Sequence, residues 1–298
     1  MKKRIVLLFA VVLLVLAMPV FTQEPNPASD FKVTLNDKGD GVVITDYVGN
    51  SPTVIIPSKI EGYPVLKIDG SLYGGCFYRK SNVTSVVIPD TVKEIAVNAF
   101  TGSAITSIHL PASVELISAL AFNGCSRLTS VIIDNPRLNV KSVSDGSYRY
   151  TVPFNNCSAL SSLTLPEGMT EIPPYLVSRC RKLTTVIIPN SVTVIGNYAF
   201  DQCGLESVTL PNGLQKIGIY AFNDNCLASI TLPASIKEIG IGAFYDNYLT
   251  EVIIPESVSS IRFPIAIGQY DYAFRRNKLN LSSQAALRKV GYTWAFEN

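Results

Sequence analysis

One phrase recurs along the chain and limits what the chain can fold into. The stretch "LESVTLPNGLQKIGIYAF", Leu205 to Phe222, is nearly repeated 22 residues later as "LASITLPASIKEIGIGAF", Leu227 to Phe244. The same frame is marked by a proline that closes each V-x-L-P or V-x-I-P phrase, with Asp134 in the place of one proline. The prolines are Pro57, Pro89, Pro111, Pro166, Pro189, Pro211, Pro233 and Pro255. Such a period indicates units that cannot bury their apolar faces alone and must stack on their neighbours.

The spacing of these marker residues predicts about nine turns and three inserts. Four of the steps are 22 residues, two are 23, and two are 32. Each long step is one repeat plus about ten residues, which predicts inserts near 61–80 and 135–152; a third is predicted near 262–272. Inserts of this kind project from the coil as loops.

Each repeat carries a short alternating run before its proline. The residues one and three positions before the proline are aliphatic, as Leu210 and Val208 are, whereas the positions between them are mixed or polar. This period-two pattern predicts a strand with one buried face. Because 15 or more residues separate successive strands, the strands should stack in parallel. A second buried segment, three to six residues after the proline, and a closing Ala-Phe pair complete the turn.

The two ends of the chain differ from the repeats. Lys2, Lys3 and Arg4 followed by the apolar run 5–17 predict a signal peptide at 1–22, because the run is too short to span a membrane. We expect an N-terminal β cap at 23–56, the solenoid at 57–277 and a C-terminal helical cap at 278–298. The cap helix should have Ser282 or Ser283 as its N-cap and Gly291 as its stop.

Charge and composition exclude some classes of partner. After signal removal, 22 basic residues face 23 acidic ones, so no global charge favours nucleic acid or an anionic membrane. No later stretch is long and apolar enough for a membrane span. The sequence also lacks a Walker-type glycine-rich loop and HExxH, and we predict neither a cofactor nor a metal.

The phrase IP-x-S-V-x-x-I-x-x-x-A-F-x-x-C-x-x-L-x-x-V-x-L-P, carried by Ile188 to Pro211, resembles the BspA-type leucine-rich repeat. The resemblance covers about residues 40–280. It implies an α/β-type solenoid: a leucine-rich repeat right-handed coil with a parallel β-sheet on one face, few regular helices and a cap at each end. It further implies an exported protein of the cell surface that acts in adhesion.

The six cysteines follow the repeat. Cys125, Cys157 and Cys180 lie nine residues before the proline position, whereas Cys203 is one step out of this column and Cys226 another; Cys76 lies in the altered first turn. The spacing predicts an inward column of free thiols, because free cysteine is among the most buried residue types. A disulfide between adjacent turns is the alternative, while a linear column cannot wrap four ligands around zinc.

A few other polar residues are candidates for catalysis or metal binding. His109 is the only histidine, and Ser107 lies two residues away on the same strand face; we interpret His109 as a surface residue rather than part of a Ser-His-Asp site. Asp201, Asp224 and Asp246 follow the Ala-Phe pair. We favour turn residues over calcium ligands for them, since Asp is common in turns.

The predicted function is therefore a protein-binding module and not an enzyme. The partner would be a protein or other cell-surface macromolecule, and the location exported, either secreted or at the cell surface. The alternative is a structural, self-associating component of the envelope. The predicted binding face comprises Ser107, His109, Ser130, Ser162, Thr164, Thr185, Ser207, Thr209, Ser229 and Thr231. Candidate contacts from the inserts are Tyr148, Tyr150, Tyr270 and Tyr272, which could instead pack the inserts against the coil.

Overall fold

The computed structural model describes residues 24–71, 74–141, 152–263 and 273–292, which form a β-solenoid of about nine turns. The predicted signal peptide at 1–22 lies outside the described residues. In the described part of the chain, no helix has the length and apolar character needed to cross a membrane.

The first sheet is built from the strands that precede the prolines. These strands pair in parallel and in register, so that Ser107 lies beside Ser130 and Ser130 beside Ser162. In-register pairing places the same repeat position of successive turns side by side, which confirms the predicted parallel stacking. The strands form two runs: Thr53–Ile55, Ser85–Val87, Ser107–Leu110, Ser130–Ile133 and Ser162–Thr164, then the pair Ser229–Thr231 and Glu251–Ile253.

Two further sets of parallel strands close each turn. The second sheet lies at the buried segment that was predicted after the proline. It has two runs of strands: Glu94–Ile95, Leu116–Ser118 and Asn139–Lys141, then Glu171–Ile172, Val194–Ile195, Lys216–Ile217 and Glu238–Ile239. The third sheet, which the sequence did not predict, follows the Ala-Phe position. Its strands are Phe154–Asn155, Val177–Ser178 and Phe200–Asp201.

The N-terminal residues extend the second sheet. A 3₁₀ turn at Ala28–Asp30 leads into the antiparallel pair Phe31–Leu35 and Val42–Tyr47, and Val42–Tyr47 pairs in parallel with Tyr63–Ile68, which joins Glu94–Ile95. The remaining short strands are Lys59–Ile60, which pairs with Tyr63–Ile68, and the pair Gly70–Ser71 and Gly74–Gly75.

Side chains seal both edges of the first sheet. At the N-terminal edge, Asn26 accepts a hydrogen bond from the amide of Ile55 at 2.8 Å and donates its own amide to the Ile55 carbonyl at 2.9 Å. At the other edge, the Ser283 hydroxyl accepts from the amide of Val252 at 2.9 Å. At each edge, one residue of the outer strand therefore has its main-chain groups already bonded, which disfavours pairing with another chain there.

The helix Leu281–Lys289 provides Ser283, and one detail of its prediction was wrong. Asn280 is the N-cap, because its side chain accepts from the amide of Ser283 at 2.8 Å. Ser283 instead faces inward and is buried, where it bonds the last strand. Arg288 and Lys289 lie in the last turn, where cations complement the helix dipole, and Gly291 follows at φ +111°.

The core is a stack of identical side chains. The rings of Phe77, Phe100, Phe122 and Phe154 are fully buried and stack at centroid distances of 4.8, 4.9 and 4.7 Å. Val177 interrupts the stack, which resumes from Phe200 through Phe222, Phe244 and Phe274 at 5.6, 5.5 and 5.3 Å. Each ring is buried by the turns on either side, so a single turn has no core of its own.

Left-handed backbone recurs at two positions of the repeat, one in most of the described turns and the other in all of them. One is the residue before the Ala-Phe pair, and the other is two residues after the phenylalanine position. Asp224 and Asp246 occupy the second position, at φ 50° and 56°, where Asp is more readily accepted than most residues. Asp201 was predicted to be a turn residue as well, but it ends the strand Phe200–Asp201, and the prediction was wrong for it.

Candidate binding face and the ladders behind it

The predicted binding face follows the outward side of the segments that precede the prolines; seven of its ten residues lie in strands of the first sheet, whereas Thr185, Ser207 and Thr209 lie in extended segments between the two runs of strands. We call the residues four positions before the proline the serine column and those two before it the mixed column. All ten predicted residues are exposed except Ser130, which is half-buried. The parallel register aligns Ser107, Ser130 and Ser162 directly, and Ser229 begins a second aligned run. The structure thus brings these residues together; their role in binding stays a prediction.

Aliphatic residues share the mixed column with the predicted site residues. Ile187 is 85% exposed, and Val87, Ile132 and Ile253 are also exposed. The Cβ-branched side chains alternate with Thr164, Thr209 and Thr231 along the stack. The surface is therefore part hydroxyl and part aliphatic.

A neighbouring column of threonines serves the fold instead. Five positions before the proline, the hydroxyl of Thr129 donates to the Thr106 carbonyl at 2.9 Å, and that of Thr106 to the Thr84 carbonyl at 3.3 Å. These hydroxyls tie each turn to the one before it. Within the described residues, no such bond involves the serine column, so its hydroxyls face solvent.

His109 has a partner that the sequence reading missed. Its Nε2 lies 2.5 Å from Oδ2 of Asp134, on the next turn, and both side chains are exposed. Asp134 stands where the other turns carry proline, and that departure was the available signal. Ser107 lies on the same face of the strand, two residues away, but exposed side chains on a flat sheet lack a water-excluded oxyanion site.

Charges flank the face rather than occupy it. Exposed Asp90, Asp134, Glu167 and Glu256 follow the strands, whereas exposed Arg127 and Lys182 precede them. Glu251 and His109 are the ionisable members of the two columns in the described strands. A partner would therefore meet a largely neutral surface between an acidic border and a partly basic one.

The cysteine column lies inside the coil and has a hydrogen-bonding role. The thiols of Cys125, Cys157 and Cys180 donate to the carbonyls of the phenylalanine one turn earlier: Phe100, Phe122 and Phe154, at 3.0, 3.2 and 3.3 Å. These three and Cys203 are buried free thiols, which confirms the inward column, whereas Cys226 is half-buried and outside it. Burial raises the pKa of Cys125 to about 11, so its thiol stays protonated and able to donate.

Asparagine continues the same column after Cys203. The side-chain amides of Asn225, Asn247 and Asn277 donate to the carbonyls of Phe200, Phe222 and Phe244, each at 2.8 Å. Counting from the phenylalanine, Cys203 falls in register and Asn225 takes the place expected for Cys226. The prediction counted positions back from the proline and therefore missed this register. The turns of Cys203 and Cys226 have one residue fewer between the phenylalanine and the proline.

A second column of polar side chains lies directly after the phenylalanine position, is linked by hydrogen bonds between turns and includes one carboxylate. Asp201 lies directly after its phenylalanine, and its Oδ1 accepts from the Asn223 amide at 2.7 Å while its Oδ2 accepts from the Ser178 hydroxyl at 3.3 Å. Burial raises the pKa of Asp201 to about 6, although both hydrogen bonds oppose the shift. Sequence reading had grouped it with the exposed turn aspartates.

A row of tyrosines was not anticipated either. Tyr175, Tyr198 and Tyr220 stack at 5.1 and 5.3 Å and hold left-handed φ values of 60°, 56° and 51°. The signal was their shared place in the repeat, directly before the Ala-Phe pair or, for Tyr175, before the Leu176-Val177 pair that replaces it. The predicted insert contacts Tyr148, Tyr150, Tyr270 and Tyr272 lie outside the described residues.

Comparison with protein families gives a match to the BspA type Leucine rich repeat region, in six copies over residues 70–152 and 150–280. Comparison with curated proteins gives no match. Among solved structures, a leucine rich cell surface protein from Faecalibacterium prausnitzii is 27% identical, with a TM-score of 0.51 over 80% of this chain and 73% of that one. A leucine-rich repeat protein from Bacteroides ovatus is 22% identical, with a TM-score of 0.47 over 84% and 80%. The T. pallidum protein TpLRR is 23% identical, with a TM-score of 0.45 over 92% and 99%.

Proposed function

Because the chain belongs to the BspA-type leucine-rich repeat family, we propose that it is an exported protein-binding module whose first-sheet face contacts a protein or other macromolecule at a cell surface. The F. prausnitzii relative is described as a cell surface protein, which supports the location. Adhesion to host cells or matrix is the biological role we propose for this binding.

The observation that supports the proposal is that neighbouring columns of side chains have different contacts. The threonine column bonds the main chain of the preceding turn, whereas the serine and mixed columns point to solvent with their hydroxyl and aliphatic groups. Exposed aliphatic residues such as Ile187 do not stabilise the fold by burial but gain free energy when a partner covers them.

The sealed edges argue against assembly by strand pairing. Asn26 and Ser283 occupy the main-chain groups through which one solenoid would add to the next. A structural envelope component that polymerises through its first sheet would need these groups free. We therefore favour binding across the face over self-association through the ends.

The test is a binding assay with residues 23–298 immobilised against extracellular matrix proteins and intact host cells. Ser207→Lys and Thr209→Lys together place two charges in the neutral part of the face. The matched control is Thr170→Lys, an exposed residue directly before the second-sheet strand Glu171–Ile172, in a column that already carries Lys93 and Lys237. We expect saturable binding that the face variant loses and the control retains.

Two outcomes would contradict the proposal. Binding that survives the face variant would remove the first sheet from the interaction. No binding to any of these surfaces, together with concentration-dependent growth of the particle in light scattering, would favour the envelope component instead.

A further inference from the structure

Three thiols occupy the same place on consecutive turns. Cys157, Cys180 and Cys203 each lie three residues after the phenylalanine position, so Cys180 has one thiol on the turn before it and one on the turn after it. The strand registers place these turns side by side, since Asn155 pairs with Ser178 and Ser178 with Asp201. All three thiols are free and buried.

From this arrangement we propose that the column is a disulfide site, in which Cys180 forms one bond with either Cys157 or Cys203. Neighbouring parallel strands are about 4.8 Å apart, within the Cα separation of about 4.4 to 6.8 Å that a disulfide accepts. Side chains that stack in parallel keep their Cβ atoms about as far apart, slightly beyond the usual spacing of about 3.5 to 4.5 Å. The bond is therefore strained and readily reduced.

Cys180 is the shared partner because it is the middle thiol of the three. Cys125 instead bonds the Phe100 carbonyl at 3.0 Å and contacts the Ser103 hydroxyl at 3.5 Å. Cys76 lies one residue before Phe77, at the alanine position of its turn, and Cys226 lies outside the column. While the chain folds, a third thiol beside the bond can attack it through its thiolate, so the 157–180 and 180–203 bridges interconvert without net oxidation.

The oxidant is a disulfide, for which oxidised glutathione serves. The two cysteine thiols lose two protons and two electrons to form the protein S–S bond, and the oxidant accepts them and leaves as two thiols. Hydrogen bonding within the column and burial raise the pKa values of Cys180 and Cys203, which suppresses the reactive thiolate in the folded chain. The bond should accordingly form during folding, before the column closes.

Asparagine at the equivalent place in later turns shows that a thiol is not required for the main-chain hydrogen bond. Asn225, Asn247 and Asn277 make the bond to the preceding phenylalanine carbonyl with an amide donor. Thiols can be oxidised to a disulfide, whereas amides cannot. The middle turns therefore carry a redox-sensitive lock that the C-terminal turns lack.

The experiment refolds the reduced chain 23–298 with oxidised and reduced glutathione, alkylates it under denaturing conditions and counts alkylated cysteines by intact mass. We expect four of the six cysteines to be alkylated, and peptide mapping to show both bridges. If refolding is inefficient, chain purified in its folded state without reductant is alkylated in the same way, with the same expected count.

Three variants locate the bond. Cys180→Ser should leave all five remaining cysteines alkylated, whereas Cys203→Ser should retain the 157–180 bridge. Cys125→Ser is the matched control and should keep one bridge. Alkylation of all six cysteines in the folded wild-type chain, or a bridge that includes Cys76, Cys125 or Cys226, would overturn the assignment.

Discussion

The Asp201→Asn variant should be more stable than the wild type at neutral pH but not in acid. Folding raises the pKa of the Asp201 carboxyl from 3.8 to about 6, chiefly through burial. A group whose pKa rises on folding binds its proton more tightly in the folded state. Its stabilising contribution is complete below pH 4 and is lost as the pH rises through 6.

The magnitude follows from the size of that shift. At about 1.4 kcal/mol per pH unit, the carboxylate costs the folded state at most roughly 3 kcal/mol above pH 7. The Asp201 side chain is only partly covered, and charges on Arg179 and Asp224 act on it in opposite directions, so we expect a gain of about 1 to 3 kcal/mol. The new carboxamide can still accept from Asn223 and can donate to the Ser178 hydroxyl.

Urea denaturation of both chains at pH 3.5 and pH 7.5 measures this difference. The two free energies of unfolding should nearly coincide in acid and separate as the pH rises through 6. Asp90→Asn, which neutralises an exposed carboxylate, is the control and should change stability by less than about 0.5 kcal/mol at either pH. A gain of equal size at both pH values, or a loss at pH 7.5, would refute the burial argument.

Substitutions at four further positions test the packing and the hydrogen bonds between turns. Phe222→Ala removes a buried ring stacked at 5.6 and 5.5 Å on its neighbours, and we expect a loss of about 3 to 5 kcal/mol in urea denaturation. Asn247→Ala leaves the Phe222 carbonyl without its 2.8 Å donor and should cost about 1 to 3 kcal/mol, which Asn247→Ser should partly restore. Gly242→Ala would place a Cβ 2.3 Å from the Tyr220 ring at φ +64°, so a marked fall in melting temperature is expected, and an unchanged one would contradict the packing. Ser283→Ala unseals the last strand and should speed hydrogen exchange at its amides more than in the middle strands.

Much of the fold could be predicted from periodicity, because the same pattern of apolar residues recurs in each repeat. Apolar residues one and three before the proline, such as Leu210 and Val208, can be buried together only in a strand, and long intervals between strands allow only parallel pairing. Local chemistry was harder to anticipate. The N-cap was assigned to a serine, although Asn280, just before the apolar Leu281, makes the capping bond and Ser283 serves the neighbouring strand.

The sequence by itself determined the solenoid, its parallel first sheet and the column that carries each predicted face residue, since a repeat fixes which positions recur. Only the tertiary structure decided which recurring side chains meet. The pairing of His109 with Asp134, the position of Cys180 between the turns of two other thiols and the bonds of Asp201 to Ser178 and Asn223 each bring together residues 22 to 25 positions apart. Their physical basis is the register between turns. One residue more or less between the phenylalanine and the proline moves a side chain into or out of a column. That register is set by the stacking of the phenylalanine rings and by the main-chain hydrogen bonds between strands.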